Sequence, residues 1–310
     1  MNKVYSHQPV LYQEIIHALN PFSGGRFVDG TLGAGGHASG ILEASGPEGE
    51  LLGLDVDPQA INLASRNLQE FGSRVRIMLS SYTALLSCLS EIGWEKIDGM
   101  VLDLGASSMQ FDNPDSGFSF QSDGELDMRF DPSNSRTAHV VVNEYSESDL
   151  ADILYRFGEE PKSKSIAHAI VQARPINGTV QLASVISSVY SSRGKIHPAT
   201  KSFQAIRIEV NSELDAIESV LPQATAALSE GGRLAVISFH SLEDRIIKSY
   251  FRLESKDCIC PPKQPVCTCG HKAILREINR KPIMASDEEI QRNPRSRSAK
   301  LRIVEKLDTK

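Results

Sequence analysis

R-F-V-D-G-T-L-G-A-G-G-H, residues 26–37, decides the fold of this 310-residue chain. Residues 26–28 read as the end of a short buried strand, which Asp29 closes, and a glycine-rich turn then leads into a helix from about His37. Glycine tolerates a positive φ and lets a ligand approach the backbone closely. A strand, a glycine turn and a helix N-terminus together form a binding corner for a nucleotide-like ligand.

The spacing of these glycines favours a ligand without phosphate. They fall as G-x-x-G-x-G-G from Gly30, with Gly33 at the centre, whereas a dinucleotide site reads G-x-G-x-x-G. Asp29 would repel a pyrophosphate but suits S-adenosylmethionine, which carries an ammonium and a sulfonium group. Asp55 closes the second predicted strand 22 residues beyond Gly33, where an acid hydrogen-bonds ribose hydroxyls. The alternative is a purely structural turn in an unrelated α/β protein.

Composition limits the class of protein. Apolar residues make up 40% and charged residues 23% of the chain, as in ordinary soluble globular proteins. We see no signal-peptide pattern and no apolar stretch of about 18 residues, and we expect a cytoplasmic protein. The net charge of −6 argues against a general polyanion binder, but residues 271–310 hold 11 Lys and Arg against 6 Asp and Glu. This basic segment suggests a local nucleic-acid contact or, alternatively, a solvated terminal face.

Alternation of strands and helices predicts a parallel sheet covered on both faces. The rhythm breaks after the fourth strand, where residues 111–136 are loop-like and residues 147–192 show only helical periods, which indicates an inserted domain. One long helix is predicted near 203–229. The predicted strands are 26–29, 51–55, 74–79, 97–104, 231–239 and 300–304.

Seven motifs in this order carry a resemblance to a known family: D-G-T-L-G-A-G-G-H, L-D-L-G-A-S-S-M-Q, G-F-S-F, L-D-M-R-F-D, H-P-A-T-K-S-F-Q-A-I-R-I-E-V-N-S-E-L, I-S-F-H-S-L-E-D-R-I-I-K and N-P-R-S-R-S-A-K-L-R. The chain resembles, nearly end to end, the bacterial 16S ribosomal RNA (cytosine-N4) methyltransferase family, also known as MraW. The resemblance implies S-adenosylmethionine as cofactor and N4 of a cytosine in the decoding region of 16S rRNA as target. The small ribosomal subunit is the implied partner, with no membrane.

The same resemblance implies an α/β class I S-adenosylmethionine methyltransferase fold, Rossmann-like, with a mostly parallel seven-stranded sheet and an inserted all-helical domain. We expect the methyltransferase domain at 1–110 and 205–310 and a substrate-recognition insertion at 111–204. A homodimer stays open on the sequence alone.

The resemblance also assigns cofactor positions. Gly35, Gly36 and His37 would lie against the methionine part and Asp55 against the ribose. Tyr82 would lie beside adenine, and Asp103 and Gln110 near the reacting end. Taken alone, Tyr82 would more often be a core residue.

Transfer to the conjugated N4 amine needs in-line placement and a hydrogen-bond acceptor as positive charge develops. DNA amino-methyltransferases place that acceptor in an Asp/Ser/Asn-Pro-Pro-aromatic motif after the fourth strand, where this chain has D-L-G-A-S-S. Asp103 is therefore the first candidate, with Ser107 and Ser108 nearby; the alternative for both serines is helix capping. His240 is the second candidate, for a base contact or proton transfer, and its alternative is again a cap. Glu243, Asp244 and Arg245 are either part of this cluster or a structural ion-pair network.

The target base should be unstacked before transfer, and Phe118 and Phe120 offer aromatic faces for it or, alternatively, pack the insertion. Candidate ligands of RNA phosphates are Arg129, Lys201, Arg207, Arg292, Arg295, Arg297 and Lys300.

Cys258, Cys260, Cys267 and Cys269 are a candidate zinc site, although C-x-C pairs are less usual than C-x-x-C. The alternative is that they hold no metal. An odd total of 5 cysteines argues against a disulfide framework.

Two rival functions remain at this point. One is an NAD-linked oxidoreductase with a non-standard glycine loop, and the other is a ribosome assembly factor that keeps the cofactor fold without catalysis. Stabilisation by S-adenosylhomocysteine rather than NADH would exclude the first, and turnover would exclude the second.

Overall fold

A computed structural model of the protein describes residues 9–191, 197–261, 264 and 266–308. The chain forms two compact units. One, the sheet unit, consists of the described residues up to Gly105 and from Leu214 onward; the other, the helical unit, is Ala106–Glu213.

Eight strands form one sheet in the sheet unit. They are β1 (Arg26–Asp29), β2 (Glu50–Asp55), β3 (Val75–Leu79), β4 (Ile97–Asp103), β5 (Leu228–Ser238), β6 (Leu275–Glu277), β7 (Ile283–Met284) and β8 (Lys300–Lys306). The main path runs β3-β2-β1-β4-β5-β8-β6, and β7 pairs with β8. The first five strands of this path are parallel, whereas β8 is antiparallel to each of its neighbours. The predicted Rossmann-like α/β fold is confirmed; the short β7 adds an eighth strand beside the seven of the main path.

Thirteen α-helices accompany the strands in the described residues. They are α1 (Tyr12–Leu19), α2 (Gly36–Ala44), α3 (Pro58–Asn67), α4 (Leu85–Glu91), α5 (Ser108–Asp112), α6 (Ala138–Glu144), α7 (Glu147–Gly158), α8 (Ser163–Ala173), α9 (Thr179–Ser188), α10 (Thr200–Asn211), α11 (Glu213–Ala227), α12 (Ser241–Glu254) and α13 (Asp287–Arg292).

Both faces of the central strands are buried, as the alternation predicted. Successive residues of a strand point to opposite faces. On β1, Val28 belongs to an apolar cluster with Met100 and Leu234, whereas Phe27 belongs to the cluster of the opposite face, with Val101. The apolar runs of these strands are therefore explained by helices packed on both sides of the sheet.

The single helix predicted near 203–229 is wrong, because the structure has α10 and α11 in its place. Ser212 adopts a left-handed conformation, with φ 48°, and its N–H bonds the carbonyl of Ile208, which ends α10. A left-handed residue after the last turn is a common way to end a helix. The boundary between the two units falls at this break.

Helices build the core of the helical unit, and α10 is one of them. Phe203, Ile206 and Val210 are buried in its apolar cluster, so this unit reaches Glu213, beyond the 204 of the predicted insertion. Its start at Ala106 likewise precedes the predicted 111. Within the described residues, no helix combines the length and apolar character that crossing a bilayer would need.

Candidate active site

The carboxyl ends of β1, β4 and β5 meet at one edge of the sheet. Asp29 is in register with Val101, and Asp103 with Ile237. Beyond β1, the N–H of Gly30 donates to the carbonyl of Val101 over 3.0 Å. Because the sheet is parallel here, Asp29, Asp103 and the first turn of α12 all lie at this edge, which is where open α/β sheets bind ligands.

The glycine-rich turn has the backbone that only glycine adopts readily. Gly33 and Gly35 have φ of +51° and +83°, and a Cβ on Gly36 would lie 2.3 Å from Cγ of Pro9. The N–H of Gly33 donates to Oδ2 of Asp55 over 2.8 Å. Glycine is therefore required here by the fold, whether or not a ligand is bound.

Asp55, the predicted ribose ligand, stands at the end of β2 beside this turn. Its Oδ1 accepts from the N–H of Asp57 at 2.9 Å, in addition to the bond from Gly33. Each carboxylate oxygen offers two acceptor positions, so both oxygens can still accept from ribose hydroxyls. Burial raises the pKa of this carboxyl.

His37 uses its side chain within the protein. The imidazole is buried, with Nε2 3.0 Å from the carbonyl oxygen of Val10, and burial lowers its pKa to about 4. A neutral ring that donates from Nε2 holds the segment before α1 against α2. The predicted contact of His37 with the cofactor therefore stays a prediction. Because the imidazole bonds Val10, the backbone of His37 is the group that could make this contact.

Tyr82 follows β3, in a short 3₁₀ turn at Tyr82–Ala84. It is half-buried and packs against the core, and its Cβ lies 3.3 Å from where a Cβ on Gly30 would stand. The aromatic residue predicted beside adenine thus borders the glycine turn. It is also partly a core residue, which was the alternative.

Asp29 is a buried carboxylate with one unsatisfied oxygen. Its Oδ1 accepts from the N–H of Thr31 at 3.2 Å, whereas Oδ2 is buried without a hydrogen-bond partner in the part of the chain that the structure describes. Burial raises its pKa to about 7, with a smaller contribution from Asp55, although the N–H groups of Thr31 and Ala38 and the hydroxyl of Thr31 act to lower it. A buried acceptor without a donor is costly, so this position calls for a ligand that donates.

Asp103, at the end of β4, also has a carboxylate oxygen without a hydrogen-bond donor in the described part of the chain. Its Oδ1 is buried and finds no hydrogen-bond donor among the described residues. Burial and then the charges of Asp29, Glu243 and Glu289 raise its pKa to about 8. The main influences on both carboxyls include no cation, so a cationic ligand would relieve them most. The ammonium and sulfonium groups of S-adenosylmethionine match this requirement, and the residues present fit that cofactor.

His240 caps α12. Its Nδ1 accepts from the N–H of Glu243 at 3.4 Å, while Oε2 of Glu243 accepts from the N–H groups of Phe239 and His240 at 2.8 and 3.2 Å. This is a capping box in which histidine takes the place of serine. The capping alternative therefore describes His240, and its contact with a substrate base stays a prediction.

Glu243 is a site residue that sequence reasoning left undecided. Its Oε1 lies 3.2 Å from Nε2 of His240. Asp244 instead pairs with cations: its Oδ1 lies 2.6 Å from Nε of Arg302, and its Oδ2 lies 3.6 Å from Nζ of Lys300. Although burial acts to raise it, these two cations lower the pKa of Asp244. The H-x-x-E spacing at a helix start is the sequence signal that could have assigned Glu243 to the cap of α12 rather than to an ion-pair network.

Ser107 also has a capping role. In the helical unit its Oγ accepts from the N–H of Gln110 at 3.3 Å, and Oε1 of Gln110 accepts from the N–H of Ser107 at 3.0 Å, which caps α5. The side chain of Ser108 lies outside the described residues. The predicted roles of Gln110 beside the cofactor and of the serines in catalysis stay predictions.

The two phenylalanines predicted to hold the base pack inside the helical unit. Phe118 is buried, with ring centroids 6.0 Å from Phe111 and 5.5 Å from Phe130. Phe120 lies 4.6 Å from His197 and 4.8 Å from Phe203. These contacts agree with the alternative given above, in which the two rings pack the insertion instead of holding the target base.

Three predicted phosphate ligands serve internal contacts of the helical unit. Arg129 bonds both carboxylate oxygens of Asp127 at 2.8 Å, and Arg207 bonds both of Glu213 at 2.8 and 2.9 Å. Nζ of Lys201 donates to the carbonyl of Glu159 over 3.0 Å. Each would have to exchange an existing partner for a phosphate.

Arg292, Arg295 and Arg297 in the basic tail are exposed. A 3₁₀ turn at Pro294–Ser298 follows α13 and holds Ser296 buried, which leaves its arginines on the surface. The exposed cations of this stretch are Arg292, Arg295 and Arg297, and Lys300 beyond them pairs with Asp244. These three exposed arginines form a basic patch, and their exposure agrees with a nucleic-acid contact and equally with a solvated terminal face.

Known proteins resemble this chain over nearly its whole length. A family model described as the MraW methylase family matches residues 4–307. The chain is 51% identical over 304 residues to the ribosomal RNA small subunit methyltransferase H of Dehalococcoides mccartyi, covering 98% of this chain and 87% of that protein. It is 46% identical over 310 residues to the protein of the same name from Heliobacterium mobile, covering 98% and 99%.

A solved rRNA methylase from Streptococcus thermophilus aligns with 96% of this chain and 94% of its own, at 12% identity and a TM-score of 0.43. That likeness is too distant to bear on function. The sequence matches alone are decisive: the chain belongs to the MraW methylase family, whose S-adenosylmethionine-dependent methyltransferase activity fits the paired acids at its sheet edge.

Proposed function

We propose that this protein transfers the methyl group of S-adenosylmethionine to N4 of a specific cytosine in the decoding region of 16S rRNA, within the small ribosomal subunit. The observation that carries the proposal is the pair Asp29 and Asp103. Asp29 is buried and Asp103 is half-buried at the carboxyl edge of the sheet, next to a turn that needs glycine, and each has a buried oxygen without a donor in the described residues. The names of the relatives support ribosomal RNA as substrate.

The N4 amine is a weak nucleophile because its lone pair is conjugated with the ring. When bound, S-adenosylmethionine supplies a methyl group on a cationic sulfur. The task left to the protein is to orient the amine and to accept its N–H as positive charge develops on nitrogen. Oδ1 of Asp103 is the proposed acceptor. Burial and neighbouring acids, which raise the pKa of this carboxyl in the ligand-free protein, support its role as a base.

The cofactor cation and Asp103 depend on each other electrostatically. A positive charge beside Asp103 favours its ionised form and so lowers its pKa. Binding of the cofactor would therefore prepare the carboxylate that the amine requires. Asp29, on the neighbouring strand, would satisfy its Oδ2 with the ammonium group.

The exposed patch of Arg292, Arg295 and Arg297 is the proposed contact with RNA phosphates. Outside residues 271–310 the chain holds 22 Lys and Arg against 33 Asp and Glu, so free RNA meets an acidic body. We propose the assembled small subunit, in the cytoplasm, as the substrate. A homodimer stays a prediction, which sedimentation velocity would test.

The decisive experiment transfers labelled methyl from S-adenosylmethionine to small subunits that lack this mark, followed by nucleoside analysis. Label in N4-methylcytidine, lost in Asp103→Ala, is expected. Asp98→Asn is the matched control, because Asp98 lies at the amino end of the same strand, where its Oδ2 accepts from the N–H of Arg26 at 2.8 Å. Methylation of the control should match that of the unmodified protein.

Four results would contradict the proposal or part of it. Label at another atom would change the substrate; stabilisation by NADH instead of S-adenosylhomocysteine would favour an oxidoreductase. Tight cofactor binding without transfer to subunits or RNA would favour an assembly factor. Equal methylation of naked 16S rRNA would remove the assembled subunit from the proposal.

A further inference from the structure

The four cysteines near the end of the sheet unit converge on one point. Cys258, Cys260, Cys267 and Cys269 bring their sulfurs within 4.8 Å of one another. Four of the separations are 3.4 Å, 3.6 Å, 3.8 Å and 4.0 Å. A zinc ion bound to four thiolates at about 2.3 Å separates the sulfurs of a regular tetrahedron by about 3.8 Å. These four distances lie on both sides of that value, and the other two do not exceed 4.8 Å, so the spacing is compatible with such a tetrahedron.

Backbone donors point at these sulfurs in a reciprocal pattern. The N–H of Ile259, the middle residue of the first C-x-C, donates to Sγ of Cys269 over 3.5 Å. The N–H of Thr268, the middle residue of the second, donates to Sγ of Cys260 over 3.4 Å. A third N–H, that of Cys260, donates to Cys258 over 3.4 Å. Donors to sulfur stabilise thiolates, and hydrogen bonds of this kind to the ligating atoms typically accompany metal sites.

The four sulfurs lie close enough together for their charges to interact. Four thiolates this close repel one another unless a cation lies between them, because like charges at a few ångströms disfavour ionisation.

Neither a disulfide nor a mixed cysteine and histidine site agrees with the geometry of the cluster. A disulfide needs an S–S distance of about 2.05 Å, and all four cysteines are free, with Cys258 and Cys267 3.4 Å apart. His271, the nearest imidazole in sequence, has Nε2 3.1 Å from the carbonyl oxygen of Leu253, and it is not among the residues whose ligand atoms converge. The cluster therefore offers four sulfurs as its ligands.

The surrounding segment needs such a cross-link. It joins α12 to β6, and none of its described residues from 255 to 274 is buried. The segment is closed at its base, where the N–H of Ile274 donates to the carbonyl of Glu254 over 2.9 Å. Above that bond, the described residues of the segment form no apolar core. Small segments without a core commonly gain their stability from a structural metal.

We infer that Cys258, Cys260, Cys267 and Cys269 bind one zinc ion as a closed tetrathiolate site. Four protein ligands leave no open coordination position, so the zinc is structural and does not take part in methyl transfer. It fixes the segment that connects α12, whose first turn carries His240 and Glu243, to the edge strand β6. The inference does not depend on the proposed reaction.

Metal analysis of protein purified under reducing conditions, without a histidine tag and from zinc-supplemented cells, tests the site. We expect one zinc per chain, and at least a tenfold loss of zinc in the variant Cys267→Ser with Cys269→Ser. Cys88→Ala is the matched control, because Cys88 is buried in α4 and outside the cluster. Its zinc content should equal that of the unmodified protein.

Cobalt titration of the reduced, metal-free protein gives a second readout that needs no variant. Visible bands of tetrahedral cobalt with sulfur-to-metal charge transfer, displaced by one equivalent of zinc, are expected. Absence of zinc together with absence of these bands would overturn the site, as would disulfides detected by mass spectrometry of freshly purified protein. Stoichiometric iron would overturn the assignment to zinc. Trypsin cleavage at the exposed Lys256 and Lys272 should accelerate at least severalfold in the double variant.

Discussion

The backbone N–H of Asp103 donates a hydrogen bond to Oγ1 of Thr31 over 2.7 Å. Thr31 lies in the glycine-rich turn after β1, and its own N–H donates to Asp29. One threonine therefore connects both acids of the candidate site, on neighbouring strands. The position of the proposed acceptor depends on the turn that would hold the cofactor.

Thr31→Val removes this hydroxyl at almost constant volume. We expect kcat to fall by about tenfold or more, since small displacements of reacting groups are costly. The free energy of unfolding should fall by about 1–3 kcal/mol, because a backbone N–H loses its acceptor. Thr31→Ser keeps the hydroxyl and is the control. Equal kcat and equal stability of the two variants would show that the bond has no such role.

Cofactor binding should release protons. The pKa values of Asp29 and Asp103 lie at about 7 and about 8 without ligand, and a bound cation lowers both. The affinity for S-adenosylmethionine should therefore rise from about pH 6 to about pH 9. Calorimetry at pH 7 in buffers of different ionisation enthalpy measures the released protons. Asp103→Asn should reduce the release, whereas Asp98→Asn should not; binding without any proton release would contradict the prediction.

The ligand-free protein should lose stability as pH rises. A carboxyl whose pKa is raised on folding binds its proton more tightly in the folded state than in the unfolded state. Its contribution is full below the unfolded pKa of about 4 and is lost as pH rises through about 8 for Asp103. Asp103→Asn should therefore be more stable than the unmodified protein at pH 8, on the order of 1–3 kcal/mol, with a smaller difference at pH 5. Chemical denaturation at both pH values measures it, and an equal difference at both would refute the linkage.

His240 can be tested as a cap separately from chemistry. His240→Ala should lower the free energy of unfolding by about 1 kcal/mol, and His240→Asn should restore most of it, since asparagine is a good N-cap. Denaturation curves measure both variants. If His240→Ala and His240→Asn are equally destabilised, His240 does not contribute to stability by capping α12. A fall in kcat that persists in the stable asparagine variant would measure a contact with the base.

Arginines of the two units should respond differently to truncation. Arg129→Ala should lower the free energy of unfolding by about 1–3 kcal/mol, because it breaks charged hydrogen bonds to Asp127. Arg297→Ala should leave stability unchanged but weaken RNA binding and reduce the slope of log K against log salt by about 1. Arg66→Ala, an exposed position on α3, is the charge-matched control for RNA binding. If the unmodified protein, Arg297→Ala and Arg66→Ala have identical salt slopes, the basic tail is not part of the RNA interface.

Local sequence determined most of the sheet unit. The glycine spacing, the acids at strand ends and the alternation of apolar runs depend on short-range backbone rules, and the structure confirms the strands at Arg26–Asp29, Glu50–Asp55 and Ile97–Asp103. The motifs were sufficient to identify the family. The break at Ser212 was missed because a left-handed serine carries no strong local signal, unlike glycine.

Tertiary structure alone decided how the polar groups are used. Arg129 and Arg207 read as free cations in the sequence, but the fold places a carboxylate at hydrogen-bonding distance from each. Asp103 gained its raised pKa from burial and from acids that are distant in sequence, and four cysteines in unusual C-x-C pairs gained tetrahedral spacing from two reciprocal turns. Sequence determines which groups exist and their local backbone; desolvation and partner choice arise only when distant segments pack together.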